Sequence, residues 1–128
     1  MKVCNIDIMS DKKDFNLSDL DLLRVSSFLS NASKIFKTNP FIKNFEYLNL
    51  FFYIYLNNAV LKKRIRFKDL NIYSSKSSVY LSKFIKEGID SGYLTYKRNE
   101  KDKRIKTYFA TKKSKKFFKE IYSFEELK

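Results

Sequence analysis

Two short stretches of this chain concentrate side chains that can hold a polyanion. Residues 76–83 read Lys-Ser-Ser-Val-Tyr-Leu-Ser-Lys, which sets three serine hydroxyls, a phenol and two ammonium groups within little more than two helical turns. Residues 97–104 read Lys-Arg-Asn-Glu-Lys-Asp-Lys-Arg, five cations and two carboxylates around one asparagine. A helix lying in a major groove reaches base edges with its N-terminal residues, and it needs small or adaptable donors and acceptors there. Ser77, Ser78, Tyr80, Ser82 and Lys83 are of those types, and hydroxyls beside first-turn N–H groups also suit phosphate oxygens. Arg98, Lys101, Lys103 and Arg104 would lie against the flanking backbone, one arginine entering a narrow, A·T-rich minor groove. Asp102 would repel phosphates, so it is expected to be an internal partner, of Arg104 or of a basic residue on the preceding helix, that keeps the tip in shape. Lys62, Lys63, Arg64, Arg66 and Lys76, in the connector and turn ahead of the helix, are expected phosphate contacts.

Other chemistry is thinly provided. The 128 residues contain no His and one Cys, which excludes Ser-His-Asp and Cys-His hydrolysis, histidine-ligated zinc, cysteine-rich metal centres and an internal disulfide. Glu46, Asp69 and Glu87 are scattered over helix faces without paired spacing, so an enzyme is not expected, and neither is a metal or cofactor. Cys4, in a polar leader, is expected to be inert, since only Lys2 nearby could lower its pKa.

The formal net charge is +13, and it is not evenly spread. Residues 1–60 hold 7 basic and 6 acidic side chains; residues 61–128 hold 20 and 8. The excess therefore belongs to the half that carries both candidate stretches, which points to a polyanion partner. With 44% apolar residues, 17% of all residues aromatic, the chain can fill one real core, so disorder is not expected. The start has no signal-peptide pattern, and the apolar run Leu50–Leu56 is far shorter than the roughly 20 residues of a membrane span. The expectation is therefore a cytoplasmic protein without a membrane partner.

The elements that must position these side chains follow from periodicity. Leu22, Val25, Leu29, Ala32 and Phe36, widened by Leu20, Phe28 and Ile35, predict an amphipathic helix over Leu17–Lys37, capped by Asn16 or Ser18 and broken at Thr38-Asn39-Pro40. Asn44–Asn58 is apolar on nearly every side and belongs in the middle of the core. Phe67–Tyr73 makes two turns around Phe67, Leu70 and Ile72. Ser77–Ser91 follows, with Leu81, Phe84, Ile85 and Ile89 inward, Gly92 as a left-handed C-cap and Gly88 unfavourable unless something packs close to it. Tyr93–Lys97 and Ile105–Phe109 alternate as two strands of a hairpin. Thr111 is expected to cap a last helix, Lys112 to about Glu126, with Phe117, Phe118, Ile121, Tyr122 and Phe124 on one side.

Two short helices followed by a two-stranded ribbon describe a winged helix-turn-helix, a mainly α fold with a small β-hairpin. Leu70, Ser77, Leu81, Gly92, Asp102-x-Arg104 and Thr111 fall at the intervals of the MarR superfamily pattern, which the chain resembles over about residues 65–115. Within it, Lys97-Arg98-Asn99-Glu100-x-Asp102-x-Arg104 and Phe67-Lys68-Asp69-Leu70 are similar to the staphylococcal SarA family; Ser74 and Gly88 depart from the usual aliphatics. The resemblance implies a homodimeric transcriptional regulator of A·T-rich or palindromic sites, with Arg98, Asp102 and Arg104 important for DNA binding.

The expectation is one winged-helix domain: a polar leader (1–15), core and dimerisation helices (16–60), helix-turn-helix and wing (61–111) and a C-terminal helix (112–128). Pairing of the terminal helices would bury the wide apolar face of the first and set two recognition helices about one DNA turn, ~34 Å, apart. The function expected is a sequence-preferring double-stranded DNA-binding regulator, nucleoid-associated, bacterial or encoded by a phage or plasmid, its small-molecule effector unknown. Alternatives are a plasmid or phage partition or replication protein on the same fold, and a basic protein-interaction or anionic-membrane module.

Overall fold

A computed structural model describes residues 18–122; the polar leader, Cys4, Asn16 and Phe124 lie outside them. Helix α1, Asp19–Thr38, opens on Ser18, whose Oγ accepts the Asp21 N–H at 3.1 Å, with Asp19 and Asp21 at the positive end of the helix dipole. It stops at Asn39, ahead of Pro40. The Asn39 Oδ1 accepts the N–H groups of both Phe41 and Ile42 at 2.8 Å, and its Nδ2 donates to the Tyr93 hydroxyl at 3.0 Å. This one side chain folds the loop inward, so that Phe41 and Ile42 are completely buried. Both lie in a segment with no periodicity to mark them as core.

Helix α2, Phe45–Ala59, is capped by Asn44 and runs through the centre. Its Phe51 packs against Phe41 at 5.7 Å between ring centroids and against Phe118 at 4.9 Å, while Phe41 also meets Phe84 and Tyr93. The core is thus built around an aromatic cluster drawn from the loop after α1, from α2 and from the second half of the chain. Asn58 ties α2 to the wing by accepting the Ala110 N–H at 2.9 Å.

After α2 the chain reverses through Lys62, which has a φ of 55°, a left-handed conformation uncommon for a residue with a Cβ. Strand β1, Ile65–Arg66, follows, then α3, Phe67–Tyr73, and α4, Ser78–Asp90. The hairpin is present, each strand shifted one residue onward, as β2, Leu94–Arg98, and β3, Lys106–Ala110. The sheet has three strands rather than two: β1 pairs antiparallel with the outer side of β3, Ile65 opposite Tyr108, giving the order β1-β3-β2. Two residues are too short a strand to show alternation. Helix α5, Lys112–Ile121, returns across the core with Phe117, Phe118 and Ile121 buried.

Two local expectations need correcting. Ile72 is 82% exposed rather than a core residue of α3, which buries Leu70 alone; seven residues give one inward stripe, and Ile72 is not on it. The Thr111 hydroxyl does not accept a helix N–H but donates to the Gly92 carbonyl at 2.7 Å, while Ser114 donates to the Tyr93 carbonyl at 2.6 Å. The condition set for Gly88 is met: it is buried, and Ile89 beside it is partly buried against the core. A Cβ at Gly88 would fall 2.5 Å from Leu94 Cδ1 and 2.9 Å from Phe41 Cζ, so the close approach of β2 and the loop needs glycine.

Candidate nucleic-acid interface

Helix α4 begins at Ser77, whose Oγ accepts the Tyr80 N–H at 3.1 Å. It ends in a Schellman arrangement: Gly92, at a φ of 84°, donates its N–H to the Ile89 carbonyl, and Tyr93 donates to the Gly88 carbonyl. Both termini are therefore fixed. Leu81, Phe84 and Ile85 anchor one side, leaving Ser78, Val79, Ser82, Lys83 and Lys86 exposed on the other. Ser78 Oγ lies 3.4 Å from Asn71 Oδ1, joining the first turn of α4 to α3.

Two candidate residues are drawn away from that outward face. Tyr80 is half-buried, its ring edge-on to Tyr47 at 5.8 Å. Lys76 pairs with Glu46 of α2 at 2.7 Å and lies 5.3 Å from the centre of the Tyr80 ring. Both side chains brace α4 against α2.

Glu87 makes a second brace. Its carboxylate is 3.0 Å from the Lys43 ammonium and 3.9 Å from that of Lys83. Burial opposes its ionisation, but Lys43, the Tyr47 hydroxyl and Lys83 outweigh burial and hold its pKa below the ordinary value. Burial and the hydrogen bond to Glu87 together push the Tyr47 phenol upward. Lys86 is similarly held charged by Asp90 at 2.9 Å, an exposed pair of small energetic consequence.

The hairpin tip is closed by its own polar groups. Asn99 Oδ1 accepts the N–H groups of Lys101 at 2.8 Å and Asp102 at 3.0 Å, an Asx turn. The Asp102 carboxylate takes a two-pronged grip on Arg104, Oδ1 to Nε and Oδ2 to Nη2 both at 3.0 Å, and accepts the Arg104 backbone N–H at 3.1 Å. The Arg104 side chain, through these bonds, keeps the Asp102 pKa below the usual carboxylate range. Of the two partners expected for Asp102, the structure pairs it with Arg104. Arg98 donates from Nη1 to the Lys103 carbonyl at 2.9 Å. Lys101 and Lys103 are exposed, and the Arg104 side chain is 91% exposed despite its ion pair.

The ribbon also holds Lys106, a cation outside the expected wing set. Arg98 stands directly opposite Lys106 across β2 and β3, and both lie over the Tyr96 ring, at 5.7 and 4.7 Å. Like charges in register are unfavourable for the isolated sheet. Ser82 and Lys86 of α4 share an open groove with Lys106 and Tyr108 of β3, so helix face and ribbon form one continuous surface. Val79, on the same helix face, is 80% exposed.

In the connector, Lys62, Lys63 and Arg64 are exposed, and Arg64 lines a wide groove with Lys97, Arg98 and Lys101. Arg66 is half-buried; its N–H donates to Asp69 Oδ2 at 2.8 Å at the start of α3. Among the described residues no group of three or more His, Cys, Asp or Glu side chains gathers where a metal ion could be held. No described helix is long and apolar enough to cross a membrane.

No protein-family model matches the sequence, and no curated protein matches it. Solved structures do. The heme sensor protein PefR from Streptococcus agalactiae, in complex with heme, aligns over 99% of this chain and 77% of its own, at 17% identity and a TM-score of 0.54. The adhesin competence repressor AdcR from Streptococcus pyogenes aligns over 77% of this chain at 20% identity and a TM-score of 0.48. The chain spans 64% of the length of AdcR. The likeness to PefR, together with the topology described above, shows that the chain has the winged helix-turn-helix fold.

Proposed function

We propose that this protein is a double-stranded DNA-binding transcriptional regulator, not an enzyme, that works as a homodimer in the cytoplasm. One observation carries the reading: the N-terminal two turns of α4, capped and braced from behind, leave Ser78, Ser82 and Lys83 without core duties on a surface continuous with a cation-bearing ribbon. Such a helix fits a major groove, while Lys101, Lys103 and Arg104 reach the adjacent backbone or minor groove. Asp102 and Asn99 preorganise the tip, so less order remains to be imposed on binding. Lys62, Lys63 and Arg64 add phosphate contacts; Lys76 and Tyr80 act by positioning.

The dimer is supported by α1. Leu22, Val25 and Leu29, on one face of the helix at i, i+3 and i+7, are 49, 52 and 46% exposed, a row of aliphatic side chains that a second copy would cover, with Leu20 and Leu23 exposed on a different face. The described end of α5 is beside it: Phe28 stacks on Tyr122 at 5.0 Å and Asn31 donates to the Ile121 carbonyl at 3.2 Å. Residues 16–60 and 112–128 would then serve assembly and core, and residues 61–111 the duplex. PefR is a heme sensor; a heme held through imidazole has no counterpart in a chain without histidine, and heme is not part of the proposal.

Selection of bound sequences from a random duplex pool, followed by footprinting, tests this. The expected result is an A·T-rich consensus of two half-sites about one helical turn apart. Failure to enrich any sequence, with equal binding to anionic vesicles, would overturn it.

A further inference from the structure

The two most exposed large apolar side chains among the described residues are Ile72, at 82%, and Val79, at 80%; Val60 follows at 63%. Both leaders belong to the helix-turn-helix. Val79 is the second residue of α4, where a β-branched side chain lowers helix propensity and an acidic residue would favour the dipole. It adds almost nothing to the core. Its neighbours on the outward face are Ser78, Ser82 and Lys83, all polar. An isopropyl group there has no structural reason in the folded monomer.

We infer that Val79 is a specificity-determining residue that reads the C5-methyl group of thymine in the major groove. The inference rests on the duplex-binding reading above and deepens it. The thymine methyl is the one apolar feature of the major-groove edges, and cytosine, the other pyrimidine, lacks it. The exposed cations on its own helix, Lys83 and Lys86, favour a duplex over an apolar protein surface as its occupant, and Lys86 extends that cationic face to Lys106 of β3 through the groove they share with Ser82. The flanking serines are short enough to let the valine methyls reach the base edge.

The test uses a duplex selected by the wild-type protein from a random pool, resynthesised with dU replacing dT one position at a time. Replacement removes the methyl and keeps every hydrogen-bonding group. At one position in each half-site, dU should weaken wild-type binding about fourfold, the worth of one buried methyl-sized group. Val79→Ala, on an exposed helical position that alanine favours, should bind the dT and dU duplexes equally, at the level of wild type on dU. Dependence on dU at no position would overturn the inference while leaving DNA binding intact. An unchanged dT preference in Val79→Ala would also overturn it. If no duplex is bound at all, the inference falls together with the proposed function.

Discussion

Helix α1 runs for 20 residues and buries only Ser27 and Ala32, whereas α4 runs for 13 and buries Leu81, Phe84, Ile85 and Gly88. Each carries a surface that the monomer's core does not use, and the two surfaces are of opposite kinds. On α1 it is aliphatic, with Asp19 and Asp21 in the first turn; on α4 it is hydroxylic and cationic. An aliphatic row asks for another aliphatic surface, and a cationic, hydrogen-bonding one asks for a polyanion. The same division of labour is written in the charge, which is nearly balanced up to residue 60 and strongly positive after it.

Substitution has its largest expected effect at the point that holds α4 in place. Gly88→Val puts a side chain where even a Cβ would be 2.5 Å from Leu94; overpacking of this kind costs about 3 kcal/mol and should lower the melting temperature by about 10 °C or more. An unchanged melt by circular dichroism would mean that α4 is not pressed against β2 as described. On the α1 side, Leu22→Glu combined with Leu29→Glu should convert a dimer to a monomer in sedimentation and weaken duplex binding about a hundredfold, through loss of the second half-site. A wild-type protein that sediments as a monomer at micromolar concentration would remove the role assigned to α1.

The helices, the hairpin and the glycine C-cap were legible because each extends over enough residues to repeat a period, or uses a residue type that few other conformations need. What escaped was set by tertiary contacts. Phe41 and Ile42 enter the core because one asparagine folds a loop inward, β1 exists only because β3 lies beside it, and Gly88 is small because Leu94 and Phe41 come close. At the candidate interface, the residue types at the start of α4 and along the wing were readable, and so was an internal partner for Asp102. Orientation was not: Tyr80 and Lys76 turn toward α2 because Tyr47 and Glu46 wait there, and Val79 was overlooked among the hydroxyls.

Smaller effects sharpen the wing. Arg104→Ala should weaken duplex binding about tenfold and reduce the salt slope by about one unit. Asp102→Asn is more discriminating, because it removes a negative charge yet also unties the tip. If order dominates, binding weakens about threefold despite the more positive protein; if it tightens, charge alone governs the wing. The smallest effect is on pH dependence. The Glu87 pKa is lowered in the folded state, so its stabilising contribution is complete above the ordinary carboxylate range and is lost as pH falls through the lower, folded value. Thermal melts between neutral and acidic pH should therefore steepen at the acid end, and Glu87→Gln should flatten that limb.

Whether the surface of α4 and the wing is a polyanion interface is read from the salt dependence of duplex binding. Titrating a labelled duplex by fluorescence anisotropy between roughly 50 and 200 mM salt should reveal a linear log–log fall in affinity, about a thousandfold if six phosphates are neutralised. An affinity that hardly changes over that range, or no binding at its low-salt end, would contradict the account.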